Sequence, residues 1–278
     1  MAGRFEGQVV LITGAARGQG RSHAMAFGRE GADLILTDVC ADIPLTGYPG
    51  ATRADLEETE RLVNEAGGKT STHVVDVRDH AALDDAVDAG VAALGPVGIV
   101  IANAGVNQNG GGILDTPQDV WQDVLDINLT GVFNTLRAGG RSMVGAGQGG
   151  SVVLISSVMG LRSWGGLPGY TVAKTAIVGL LRVAAHEWGP LGIRVNAIHP
   201  GTVRTPMVDN RALPALLRPD LADPTIDDVS HFFAQTNMLP GPWTEASDIT
   251  EAILFLCSDA GRHIHGISLP IDLGMANK

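Results

Sequence analysis

The sequence predicts one doubly wound α/β domain spanning residues 1–278, built on a mostly parallel seven-stranded sheet with helices on both faces. Three observations carry that expectation. A short, wholly apolar run, Val9-Val10-Leu11-Ile12, leads into a glycine-rich turn and then a helical segment. Six further strand-like segments recur down the chain, most of them separated by helix-length stretches. The composition, 45% hydrophobic with 37 glycines and only 4% aromatic, suits helices packed closely on a sheet. A length of 278 residues is within reach of one α/β domain and ample for a large core.

Charge and composition remove several classes of function. A net charge of -11 gives no electrostatic footprint for nucleic acid. The longest apolar runs are too short to span a bilayer, and the opening MAGRFEGQVV lacks an apolar core of signal-peptide length. Cys40 and Cys257 are too few for a disulfide framework and lack metal-ligand spacing. No nucleic acid, membrane or metal is therefore expected, and a reducing cytoplasm is the default location.

The first strand ends in Thr13-Gly14-Ala15-Ala16-Arg17-Gly18-Gln19-Gly20, and a helix is expected from Arg21 to Glu30, stopped by Gly31. Strand, glycine-rich turn and helix in this order let backbone N–H groups and the positive end of a helix approach a phosphate. The spacing is G-x-x-x-G-x-G rather than the commoner G-x-G-x-x-G. The second strand, Leu34 to Leu36, ends in Thr37-Asp38, 18 residues after Gly20. An acidic residue there accepts hydrogen bonds from ribose hydroxyls and repels a 2′-phosphate, so NAD is expected over NADP. Arg17 points the other way, because a cation in the turn could meet that phosphate.

Val39 to Arg53 has two prolines, two glycines and no clear period, and is long for a connection between strand and helix. Its place beside the adenosine end suggests a cover over the cofactor. A helix is expected to resume near Asp55, capped by that residue. Thr72 to Val77 reads as the third strand, ending in Asp76-Val77, and Asp79 to Leu94 as a helix. Ile99 to Ala102 is the fourth strand, running into Asn103-Ala104-Gly105, where small side chains leave room for a flat ring. Gln118 to Arg141 is a long helical stretch, with Asn128 beside Thr130 and Gly131, where it can perturb the helix and hold a water.

The fifth strand, Val152 to Ile155, ends in Ser156-Ser157, and a glycine-rich loop then reaches Tyr170 and Lys174. Four residues apart on a helix, the two share one face. A free tyrosine has a pKa of about 10, and bringing it to neutrality requires roughly 4 kcal/mol. A lysine ammonium one turn away supplies part of that, and a serine hydroxyl at the adjacent strand end can hold the same substrate oxygen. Arg194 to His199 is a sixth strand, turned out by Pro200-Gly201. Residues 205–243 hold six prolines, and Met207, Leu213, Leu216, Leu217, Phe232, Phe233, Met238 and Trp243 suggest the apolar wall of a substrate lid. Ala246 to Cys257 is an amphipathic helix capped near Ser247 or Thr244, and Ile267 to Ile271 supplies the last strand.

The set Thr13-Gly14, Gly18, Gly20, Asn103-Ala104-Gly105, Asn128, Ser157, Tyr170-x-x-x-Lys174 and Pro200-Gly201 resembles the short-chain dehydrogenase/reductase family, in order and spacing, over nearly the whole chain. The resemblance implies a Rossmann-type NAD-dependent enzyme that interconverts a secondary alcohol and its ketone. It implies Tyr170 as proton donor and acceptor, Lys174 on the nicotinamide ribose, Ser157 on the substrate oxygen, and Asn128 anchoring a proton-relay water. Asp38, Asp76 and Val77 would hold the adenosine half. Gly14, Arg17, Gly18, Gln19, Gly20, Asn103, Ala104, Gly105, Pro200 and Val203 would line the cofactor. Thr202 or Thr205 would reach its pyrophosphate or carboxamide.

TGAARGQGRSHA, TDVCADI and the insertion after it are similar to the mycofactocin-coupled, carveol dehydrogenase-like subfamily. That likeness implies NAD held beneath residues 39–53, a small hydrophobic alcohol or ketone as substrate, and a mycofactocin-type electron acceptor. In this family the last strand often packs across a two-fold axis, which implies a homotetramer. A 3-oxoacyl carrier-protein reductase shares every catalytic residue, but an acidic lid and Asp38 weigh against it. A non-catalytic nucleotide-sensing protein would not need Ser157, Tyr170, Lys174 and Asn128 together.

Overall fold

The computed structural model describes residues 3–108 and 110–278. Its sheet is β1 (Val9–Thr13), β2 (Asp33–Asp38), β3 (Thr70–Val74), β4 (Val97–Ala102), β5 (Gly150–Ile155), β6 (Ile193–Pro200) and β7 (Ser268–Ile271). The strands lie in the order β3-β2-β1-β4-β5-β6-β7, and every neighbouring pair is parallel. The helices are α1 (Gly18–Arg29), α2 (Arg53–Glu65), α3 (His80–Leu94), α4 (Gln118–Leu125), α5 (Gly131–Ala146), α6 (Pro168–Trp188), α7 (Ala212–Leu217), α8 (Ser230–Thr236) and α9 (Ala246–Cys257).

The apolar strands are continuous because each is covered on both faces. Val10, Ile12, Val153 and Ile155 pack with Phe27, Leu56, Ile249 and Ile253 of α1, α2 and α9. Val9, Leu11, Val152 and Leu154 pack with Leu83, Leu136, Ile177 and Leu181 of α3, α5 and α6. Successive side chains thus feed opposite layers, as the two-residue strand period requires.

Several boundaries differ from the sequence expectation, each for a local reason. α1 begins at Gly18 rather than Arg21, straight after the extended backbone of Arg17. α2 is capped by Thr52, with Asp55 as the third residue of a reciprocal capping box rather than the cap itself. β3 stops at Val74, which leaves Asp76 and Val77 in the loop beyond it. α9 is capped by Glu245 through a box with Asp248, not by Thr244 or Ser247. The long helical stretch from 118 is interrupted by a π turn at Asp126–Thr130, where Asn128 sits.

His23 is fully buried in α1, with Nδ1 2.7 Å from Thr250 Oγ1 of α9. Burial lowers its pKa from 6.5 to about 3. Between those values the unfolded chain binds a proton that the folded chain refuses, so stability falls as the pH drops through that window. Melting temperatures measured from neutral to acid pH are expected to show this loss. His23→Asn, which takes up no proton, is expected to flatten it. An unchanged slope in that variant would assign the acid sensitivity to other groups.

Candidate active site

The strand order turns back between β1 and β4, and a crevice opens there beyond the carboxyl ends of the strands. Gly14 lines it with φ +68°, a conformation that favours glycine. A Cβ on Gly20 would lie 2.0 Å from the Gly14 carbonyl oxygen, so helix and turn meet only because that side chain is absent. No side chain caps the start of α1. Its first residues, Gly18, Gln19 and Gly20, line the crevice, where uncapped N–H groups can meet an anion. The Asp38 carboxylate, buried at the end of β2, accepts from the N–H of Ala16 at 3.0 Å and of Cys40 at 3.1 Å. This donor and acceptor set fits a dinucleotide with a free ribose diol: amides for the pyrophosphate, a carboxylate for the hydroxyls.

Arg17 lines the crevice, but its guanidinium is engaged by the 39–53 segment. Its guanidinium donates to the carbonyls of Gly50 at 3.1 Å and Pro49 at 2.7 Å, and lies 5.9 Å from the Tyr48 ring centre. The glycine-rich turn and the 39–53 segment are thereby clasped together over the crevice. Ile43, Thr46, Tyr48 and Gly50 form its outer wall.

Asn103 ties β4 to the turn, its Nδ2 donating to the carbonyls of Thr13 at 2.9 Å and Gly14 at 3.0 Å. Ala104 and Gly105 continue the wall, and Asp76 and Val77 line it as well. The Asp76 carboxylate is held by Arg78, whose Nη2 lies at 2.7 Å. Gly18 and Gln19 border the crevice, and Gln19 Oε1 is buried with no partner among the described residues. Thr205 Cβ stands 3.4 Å from where a Cβ of Gly18 would be, and the residue lines the crevice. Pro200, Thr202 and Val203 line the neighbouring cavity instead.

Pro168 sets the start of α6, which puts Tyr170 in its first turn and Lys174 one turn on. Lys174 Nζ lies 5.6 Å from the Tyr170 ring centre and donates to the Ile155 carbonyl at 2.9 Å. Burial lowers the Lys174 pKa from 10.5 to about 8. Burial also raises the Tyr170 phenol above its ordinary value, and a hydrogen bond with the Ser157 side chain draws it partly back. The expectation that the lysine brings the phenol down is thus not met by these protein groups alone: desolvation outweighs what they offer. The Ser157 backbone is itself braced, its carbonyl 2.8 Å from His199 Nδ1.

Asn128 is fully buried. Its Nδ2 donates to the carbonyls of Val106 and Val124, each at 3.0 Å, and its Oδ1 accepts from the N–H of Val106 at 3.1 Å. Both amide N–H groups are engaged, which leaves the second lone pair of Oδ1 and the main chain of the π turn to hold any water. A Cβ on Gly105 would meet Asn128 Oδ1 at 2.8 Å and Lys174 Nζ at 3.3 Å. The asparagine and lysine therefore flank the same glycine.

Ser157, Tyr170 and Lys174 lie in the wall of a second cavity of about 490 Å3. Gln19, Asn103, Gly105 and Thr205 border both spaces, so the crevice and the cavity adjoin. Met207, Leu213, Leu216, Leu217, Phe232 and Phe233 line it as the sequence suggests. Met238 and Trp243 do not. Met238 is exposed, and Trp243 packs beside a small cluster of Ile226, Val229 and Phe233. Sequence reasoning missed Tyr48, Gln108, Trp164 and Met275, all of which line the cavity. Tyr48 carried a signal as one of only two tyrosines, whereas Met275 carried none. Among the described residues there is no cluster of metal ligands, and no helix is long and apolar enough to cross a membrane.

A family model described as enoyl-(acyl carrier protein) reductase matches residues 14–276. The chain is 43% identical over 275 residues to a (-)-trans-carveol dehydrogenase of Rhodococcus erythropolis, covering 99% of each. It is similar to the crystal structure of a carveol dehydrogenase from Mycobacterium avium in complex with NAD, with a TM-score of 0.98 and 47% identity over 99% of this chain and 100% of that one. A short-chain dehydrogenase from Mycobacterium paratuberculosis bound to NAD superposes with a TM-score of 0.91 at 39% identity, over 99% of this chain and 100% of that one.

Proposed function

Since this chain belongs to the short-chain dehydrogenase/reductase family, we propose that its substrate is a small hydrophobic, alicyclic secondary alcohol or the matching ketone. The protein is an NAD-dependent oxidoreductase acting between alcohol and ketone. One observation carries the finer reading: Ser157, Tyr170 and Lys174 converge where the nucleotide crevice opens into an apolar-walled cavity. Bound NAD supplies the hydride acceptor. Ser157 holds the substrate oxygen against Tyr170, which takes the hydroxyl proton in oxidation and returns it in reduction. Lys174 holds the nicotinamide ribose and places its ammonium beside the phenol. Asn128, through its π turn, anchors a water that carries the proton onward.

Asp38 and the first turn of α1 hold the adenosine ribose and pyrophosphate, with Asp76 and Val77 at the adenine end. The 39–53 segment is a cover over the nucleotide, and residues 205–243 are a substrate lid. The clasp of Arg17 on Pro49 and Gly50 supports retention of NAD between turnovers, with electrons passed to a mycofactocin-type acceptor. Exposed Phe133, Val144, Val172 and Val183 on α5 and α6 support assembly as a homotetramer. The free thiols of Cys40 and Cys257 fit a reducing cytoplasm.

The test begins with protein as purified, denatured and searched for released nucleotide by mass. NAD near one per chain, reduced by alicyclic alcohols and reoxidised only by an added carrier, is the expected result. NADP in its place would move a ketone reductase ahead. Arg17→Ala, which removes two bonds to the cover, is expected to speed NAD dissociation roughly tenfold. An unchanged off-rate would leave the cover without a role in retention.

A further inference from the structure

Segment 272–278 brings Met275 into the wall of the cavity and is fixed on three sides. The Asp272 carboxylate accepts from the N–H of Gly274 at 2.9 Å and of Ala276 at 2.6 Å. Arg162, in the loop after Ser157, donates through Nη1 to the Met275 carbonyl at 2.6 Å. The N–H groups of Met238 and Leu239 donate to the Leu273 carbonyl, each at 2.9 Å, and Lys278 Nζ donates to the carbonyls of Gln235 at 2.6 Å and Asn237 at 2.7 Å. The segment thus ties the catalytic loop to the 205–243 region.

Met275 is the side chain this arrangement delivers to the site. It is 1% exposed, packs in one cluster with Val158, Met159 and the Tyr170 ring, and lines the cavity. We propose that Met275 is a specificity-determining residue, which sets the bulk of substrate that fits beside the catalytic tyrosine. The proposal rests on reading the apolar cavity as the substrate site. An unbranched thioether in that position fills the gap between ring and substrate, and its volume is subtracted from what a substrate can occupy. The bonds to Arg162, Asp272 and Lys278 hold it there.

The test uses the full chain loaded with NAD and a series of alicyclic secondary alcohols graded by ring substitution. Calorimetric binding of the matching ketones is measured in parallel. Met275→Ala is expected to raise kcat/KM for the bulkiest alcohol relative to the smallest by about tenfold or more, chiefly through KM. Met275→Leu, of similar volume, is expected to keep the wild-type ranking. NAD affinity should be unchanged in both, and Met275→Val replaces the alanine variant if that one does not fold. An unmoved ranking in an active enzyme overturns the proposal. If the protein turns over no alcohol yet ketone binding is reordered by Met275→Ala, the size filter stands and the substrate reading above falls. Ketone binding that is equally indifferent to the substitution overturns both.

Discussion

Tyr170→Phe is expected to lower turnover by about 10²- to 10⁴-fold while NAD affinity and melting temperature stay near wild type. The change removes one hydroxyl and no packing: the ring stays against Val158, Met159 and Met275. What disappears is the phenol that lines the cavity together with Ser157 and Lys174. Because burial holds that phenol above its ordinary value, it is protonated at neutral pH in the free protein. Alcohol oxidation needs the deprotonated form, so its rate should climb with pH, and ketone reduction should decline over the same range. Initial rates in both directions across the alkaline range test this. A phenylalanine variant with near-normal turnover, or a wild type whose oxidation rate is flat in pH, would remove Tyr170 from the proton's path.

The sheet was legible because its code is local. The five central strands, β2, β1, β4, β5 and β6, are largely apolar runs buried on both faces, which makes them unmistakable, whereas the edge strand β3, Thr70–Val74, is polar and only half-buried, and its bounds are less plainly marked. The candidate catalytic set was legible for a related reason: Tyr170 and Lys174 lie on one helix face, and Ser157 follows two residues after the strand that precedes that helix. Helix starts were less legible. Thr52 and Glu245 are chosen as caps by which backbone N–H groups end up unpaired, whereas a boxed Asp55, or a nearby Thr244 or Ser247, looks like a cap in sequence.

The rest depended on contacts between distant segments. Arg17 reads as a phosphate ligand until Pro49 and Gly50, more than thirty residues on, occupy its guanidinium. Asn128 reads as a residue that perturbs its helix, and only the loop of Val106 closing over it shows what its amide binds. Met275 belongs to the site only because Arg162 and Lys278 bind its segment to two other parts of the chain.

Lys174→Met separates stability from function, because the two are expected to move in opposite directions. In the folded chain this ammonium is buried beside one carbonyl, and its pKa is lowered from 10.5 to about 8. The unfolded lysine keeps its proton up to about 10.5, so between those values the unfolded state binds more protons and folding stability rises with pH. Below about pH 8 the burial penalty is present in full. An apolar side chain of similar length avoids it, and the melting temperature of the variant at neutral pH is expected to equal or exceed that of wild type. Function should go the other way. Without an ammonium between the ribose site and the phenol, NAD binding weakens and kcat/KM falls by on the order of a hundredfold or more. Wild-type NAD affinity should also decline as the pH rises through about 8, where the free protein loses this charge, and the methionine variant should lack that inflection. A variant that is less stable than wild type at neutral pH but binds NAD equally well would mean that the lysine serves the core. A stable variant with weak binding and little turnover would mean that a destabilising charge is kept for the chemistry.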